Sequence, residues 1–159
     1  MIQRIQTLYL TIVVISGTLL CFFAPVDFIS PENAENYREL SMTFTGVYDI
    51  TNRAMPVRLM NTVSLSIISV VIPLIALVNI FLFKRRILQA RINVVNVVLC
   101  LGWYAIYAVY IWFAKENFFV EWYMTPWAAI PLVNLVLTLM ATRAILKDEA
   151  LVRAADRLR

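Results

Sequence analysis

The side chains that carry most biological chemistry are scarce in this chain, and their placement disarms them. Cys21 and Cys100 are its only thiols, and it has no histidine. Both cysteines lie in long apolar runs, Cys21 near the end of the first and Cys100 about eight residues into the third. At about 1.5 Å per helical residue their depths differ by roughly 12 Å, beyond the roughly 7 Å that a disulfide spans between Cα atoms. Both read as small apolar core residues. No CxxC pair occurs, and without imidazole or paired thiolates a zinc or haem site lacks ligands. Ser64, Ser66 and Ser69 share an apolar run with no base to activate them. Proton-coupled transport wants a charged or imidazole side chain at membrane depth, and no Asp, Glu, Lys, Arg or His stands at the centre of any run. The expectation is therefore no catalytic residue, no cofactor and no metal, so not an enzyme.

Amides and hydroxyls remain. Asn79 and Asn96 each stand about one helical turn inside the same boundary of neighbouring runs, and equal depth predicts that they pair. Asn134 stands deeper in the last run. Interhelical contacts of this kind contribute on the order of 0.6–2 kcal/mol and hold helices together. Pro73 is expected to kink its helix by freeing the carbonyl of Ser69, and Pro131 by freeing that of Trp127. Gly17, between Ser16 and Thr18, allows a second helix to approach.

These residues sit in four apolar runs, Ile5–Ala24, Leu59–Phe83, Ile92–Ala114 and Pro126–Leu146. Each is about long enough to cross a hydrocarbon core of roughly 30 Å. The only charge in any run is Arg143, in the last turn of the fourth. Hydrophobic residues make up 62% of the 159, and mean hydropathy is +0.77; a soluble domain has roughly 45–50% apolar residues. The expected fold is all-α: a single four-helix transmembrane bundle over residues 1–159. It has outer loops at 25–58 and 115–125, an inner loop at 84–91 and a helical tail at 147–159. The first run, longer than a signal-peptide core and lacking a small-residue cleavage site, is expected to stay as an anchor.

Charge sets the orientation. Ten basic residues flank one side of the runs against three acids, and four basic residues flank the other against seven acids. The positive-inside bias then puts both termini in the cytoplasm. Basic residues that flank spans account for the net charge of +4 without a nucleic-acid partner.

The first outer loop alternates Leu40, Met42 and Phe44 with Ser41, Thr43 and Thr45, and after Gly46 resumes with Tyr48 and Ile50. This predicts a β-hairpin. A three-residue connection, pairing Phe44 with Tyr48 and Met42 with Ile50, would put all five apolar side chains on one face. Tyr104, Tyr107, Tyr110, Trp122 and Trp127 are candidates to face lipid, most of them in an outer aromatic belt suited to the interface, or to line an apolar pocket. In the tail, Glu149, Arg153 and Arg157 follow at four-residue spacing. With Asp156 they are a candidate cytoplasmic interaction surface.

Two short motifs stand at the chain ends. Met1-Ile2-Gln3-Arg4-Ile5-Gln6-Thr7 leads into the first run. Arg143-Ala144-Ile145, Lys147-Asp148-Glu149-Ala150-Leu151-Val152-Arg153 and Ala155-Asp156-Arg157-Leu158-Arg159 close the chain. With the four-run layout they resemble a family of small uncharacterised four-span membrane proteins of Bacteroidetes-type bacteria, classed as a domain of unknown function. The resemblance implies a bacterial inner-membrane location and carries over no catalytic residue. The expected role is that of a non-catalytic accessory or scaffold subunit of an envelope assembly, or a homo-oligomer, with membrane lipids and a protein as partners. The alternative is a transporter or binder of a lipid or apolar small molecule.

Overall fold

The computed structural model describes residues 3–29, 38–83, 85–118 and 120–157. Its elements run α1 (Gln3–Leu20), β1 (Val26–Ile29), β2 (Glu39–Met42), β3 (Gly46–Asp49), β4 (Val57–Asn61), α2 (Val63–Phe81), α3 (Arg86–Phe118), β5 (Glu121–Met124), a 3-10 turn (Pro126–Ala129) and α4 (Ile130–Arg157). The expected all-α bundle is corrected: this is a mixed α/β fold, four helices topped by a five-stranded antiparallel sheet. Of the described helices, three are long and apolar enough to cross a membrane: Val63–Phe81, Arg86–Phe118 and Pro126–Val152. The apolar part of α1, Ile5–Leu20, is shorter.

The second apolar run hides a boundary. Its first residues, Leu59 and Met60, belong to β4, and the helix begins only at Val63. Thr62 makes the break. Its hydroxyl donates to the Phe44 carbonyl at 3.0 Å while its own carbonyl accepts the first helical bond, from the Ser66 N–H at 3.0 Å. One residue thus joins sheet to helix. At the other end of α2, the Leu82 N–H bonds to Asn79 O and the Arg85 N–H to Leu82 O. This tight link makes α2 and α3 neighbours. Pro131, expected to kink its helix, is instead the second residue of α4. Proline is tolerated in a first turn, and Trp127 O is not freed, because it accepts from the Ile130 N–H.

The four helices form a ring. Each packs on its neighbours in sequence, and α1 closes the ring against α4. The buried face of α3 reads Gln89, Asn93, Asn96, Cys100, Trp103 and Tyr107, alternating spacings of four and three, the seam of a coiled-coil-like bundle. The outward faces are apolar: Val98 and Leu101 are more than half exposed, as are Leu132 and Leu74. An apolar surface this continuous far exceeds what water tolerates on a monomer, and hydrocarbon suits it.

The sheet runs in the order β4-β3-β2-β1-β5. Its inward row is continuous: half-buried Met60 stands opposite Val47, Val47 opposite Met42 and Met42 opposite Val26. With Phe28 and Leu40 it packs on Leu20, Leu65, Trp103 and Tyr107 at the helix ends, in one core. The predicted hairpin exists as β2 and β3 but in another register. Met42 pairs with Val47 and Ser41 with Tyr48, so Phe44 lies in the turn. The loop carbonyls at 43 and 44 are held by Thr62. The Thr43, Thr45 and Tyr48 hydroxyls bond in series at 3.0 Å per step, and a bulge between Val47 and Tyr48 fits β3 to β4.

Gly46 has no room for a side chain. A Cβ there would sit 2.7 Å from the Met60 carbonyl oxygen and 3.0 Å from Arg58 Cδ. The backbone oxygen cannot yield without breaking the ladder. Gly46→Ala is therefore expected to destabilise the fold by about 1–3 kcal/mol, the usual cost of overpacking. Gly102→Ala, with nothing within 4 Å of the added Cβ, should be neutral or slightly stabilising. Thermal unfolding of both variants in one detergent checks the contrast.

Candidate functional site

Two polar centres lie within the bundle, and two more features lie on its surface. The end of α2 that turns into α3 carries an amide cluster. Asn79 is fully buried, and its Nδ2 donates to the Gln89 carbonyl at 3.1 Å and to Asn93 Oδ1 at 2.5 Å; Gln89 Nε2 donates back to the Asn79 carbonyl at 3.0 Å. A carbonyl oxygen can only accept, so the Asn79 amide turns its nitrogen toward Gln89 O. The expected partner, Asn96, is not the one used. It lies about one turn further along α3 and, though fully buried, finds no hydrogen-bond partner for either amide atom among the described residues. Asn79 Oδ1, Asn93 Nδ2 and Gln6 Nε2 are likewise buried without a partner among those residues.

Asn134 works elsewhere. Its Oδ1 accepts from Ser16 Oγ at 2.5 Å, tying α4 to α1, and its backbone carbonyl accepts from Thr138 at 2.7 Å. Beside it, Gly17 lets three helices converge: a Cβ would lie 3.2 Å from Pro73 Cβ and 3.5 Å from Asn134 Nδ2. The proline that weakens α2 is thus buttressed by the glycine of α1.

The three tyrosines of α3 point different ways. Residues three apart on a helix fall about 60° short of a full turn, so Tyr104, Tyr107 and Tyr110 face three directions. Tyr104 donates to the Ala128 carbonyl at 2.8 Å, toward α4. Tyr110 shares a 2.9 Å bond with Ser64 of α2. Tyr107 stacks on Trp103 at 4.7 Å in the core between them. Trp103 Nε1 donates to Ser69 Oγ at 2.8 Å, the residue whose carbonyl Pro73 cannot serve. Trp127 stacks on Phe23 at 3.8 Å, and Trp122 stands in β5 opposite Phe28.

On the surface, β5 presents Glu121, Trp122, Tyr123 and Met124, all exposed. At the opposite end of the helices a groove of ≈ 630 Å³ lies between the start of α3 and the end of α4. It is lined by Arg85, Arg86, Ile87, Leu88, Arg91, Glu149 and Val152. Arg86 is pinned by Asp148, with Nη1 3.5 Å from Oδ2 and 3.5 Å from the carbonyl. Of the expected tail residues, Glu149 lines this groove; the side chains of Arg153, Asp156 and Arg157 lie outside the described residues. At the sheet end, the Asp49 carboxyl accepts from the Thr51 N–H at 3.0 Å. Hydrogen bonds from the Thr51 side chain and backbone, helped by Arg38, hold it below the usual carboxylate range.

Gln89, Asn93, Ser16 and Trp103 are the polar partners that sequence reasoning missed. A signal existed for two of them. Gln89, Asn93 and Asn96 repeat at four and three, one face of a helix, but the expected span began at Ile92 and left Gln89 in a loop.

The family model for DUF4293, a domain of unknown function, matches residues 2–158. No curated protein matches the chain.

Proposed function

The chain belongs to the DUF4293 family, a domain of unknown function, and we propose that it is a non-catalytic inner-membrane protein, bacterial as the resemblance of its two ends implies, that works by contact. It serves as an accessory or scaffold subunit of an envelope assembly, or as a homo-oligomer. In this reading the sheet stands outside the cytoplasmic membrane and the arginine-rich end inside. The three long apolar helices and the excess of basic residues at one end support that orientation.

The observation that carries the proposal is the free edge of β5. Last in the strand order, β5 pairs with β1 along one side, and no described strand covers the other. Soluble proteins guard such edges with charge, proline or a covering segment, because open ladder groups recruit another strand. Here only Glu121 is charged, and Tyr123 and Met124 are 52% and 61% exposed. An aromatic, apolar edge suits a partner that adds a strand.

Isolated in mild detergent from its native membrane, the protein should carry a stoichiometric protein partner or a second copy. Tyr123→Lys with Met124→Lys should release it and leave the melting temperature nearly unchanged, since both side chains are exposed. A wild-type monomer without a partner, or binding indifferent to both substitutions, overturns the reading. The second reading, binding of a lipid or apolar molecule, draws support from a shallow groove of ≈ 380 Å³ beside Tyr110. It is lined by Ser64, Ala105, Ile106, Val109 and Phe113.

A further inference from the structure

We infer that the groove between the start of α3 and the end of α4 binds the phosphate headgroup of an anionic membrane lipid. Three guanidinium groups, Arg85, Arg86 and Arg91, line it against one carboxylate, Glu149. Guanidinium is the side chain best shaped for phosphate, because its planar fork donates two parallel hydrogen bonds to two oxygens. Arg85 and Arg91 are exposed and supply those forks. Arg86 is a positioning residue: its bond to Asp148 fixes the α4 tail against the first turn of α3 and so sets the width of the groove.

The lining also tells a lipid from a free phosphate. Ile87, Leu88 and Val152 share the groove with the arginines and are exposed, an apolar floor that a small hydrophilic anion does not use. Further along α3, Val94, Val95 and Val98 are each more than half exposed. They lie roughly 9–15 Å beyond Leu88 at the rise of a helix, where acyl chains hanging from a bound headgroup would run. A basic pocket between membrane helices at the cytoplasmic headgroup level is where anionic lipids are retained. The inference shares the membrane placement with the reading above but is independent of any partner at β5.

The full-length protein is purified in mild detergent and titrated with phosphatidylglycerol or phosphatidylcholine. Bound lipid is counted by native mass spectrometry, and melting is followed in parallel. One phosphatidylglycerol should be retained per chain in preference to phosphatidylcholine, with a rise in melting temperature. Arg85→Gln with Arg91→Gln should weaken that preference about twenty-fivefold, at about fivefold for each arginine near a headgroup. Arg143→Gln with Lys147→Gln, which removes two charges at the same membrane level outside the groove, should change it far less. Loss of preference of equal size in both double variants would mean diffuse surface attraction and overturns the site. Protection by inorganic phosphate equal to that by phosphatidylglycerol overturns the lipid assignment in favour of a soluble anion. Equal retention of the two lipids by the wild type overturns both. The melting temperature of each variant without added lipid reports whether it is folded.

Discussion

Trp103→Ala is expected to cost about 3–5 kcal/mol, the range for deleting a fully buried aromatic side chain. The indole is 1% exposed and meets three groups at once. It stacks on Tyr107, meets Tyr104 at right angles with ring centroids 5.2 Å apart and donates to Ser69. It also belongs to the same core as Val26 and Phe28 of the sheet, so the cavity would open at the junction between sheet and bundle. Neither side can close it alone, because the sheet is fixed through Thr62 and Thr125, whose hydroxyl donates to the Ala24 carbonyl at 2.7 Å. Trp103→Phe keeps most of the volume and loses the bond to Ser69, for about 1 kcal/mol. Trp112, 58% exposed, gives the contrast: Trp112→Ala should change bundle stability by no more than about 0.5 kcal/mol. Unfolding of all three variants in one detergent decides the matter. Equal losses for Trp103→Ala and Trp112→Ala would mean that the core is not centred where the packing puts it.

The second large effect is a difference in sign. Asn79→Leu removes the donor to Asn93 Oδ1 and to the Gln89 carbonyl and leaves both acceptors buried. A loss of about 1–3 kcal/mol follows. Asn96→Leu removes an amide whose two polar atoms have no partner among the described residues, and replaces it with a side chain of similar volume. Burying an unsatisfied amide costs about 1–3 kcal/mol in proteins, so this variant should be neutral or more stable. With no bond between the two residues, the double variant should be additive within about 0.5 kcal/mol. Destabilisation by Asn96→Leu as large as by Asn79→Leu, or strong coupling between them, would restore the direct pair that depth alone suggests.

The long helices are legible because a long uncharged run has few other uses, and α2, α3 and α4 announce themselves that way. The sheet is not, and the reasons are specific. Val26–Ile29 and Glu121–Met124 are four residues each, too short to show a period. Their pairing joins segments far apart in sequence. Leu59 and Met60 continue an apolar run without interruption, and hydropathy does not separate a strand from the helix that follows it. The hairpin is visible from its alternation, but its register is set by groups outside it. Tyr48 and Ile50 look like the partners of Met42 and Phe44 only while β4 and Thr62 are ignored. With them in place Val47 takes the buried position. Among the candidate site residues, Asn134 is found by its depth, while its partner Ser16 looks like an ordinary span residue. The three tyrosines look like one cluster in a list and diverge on a real helix. The groove arginines read first as topology markers. That α4 returns to them with Glu149 and Val152 is tertiary information.

The strand order also imposes a schedule on the nascent chain. Strands β1 to β4 are made before the first residue of α2, so a four-stranded sheet can zip as soon as residue 61 has emerged. Its β1 side then stays raw until β5 arrives, about sixty residues later, and closing the loop of about ninety residues between the two strands is entropically dear. The last strand therefore acts as a clasp, closing on the first only when both intervening helices have settled. The speed of α2–α3 docking then governs how long that exposure lasts.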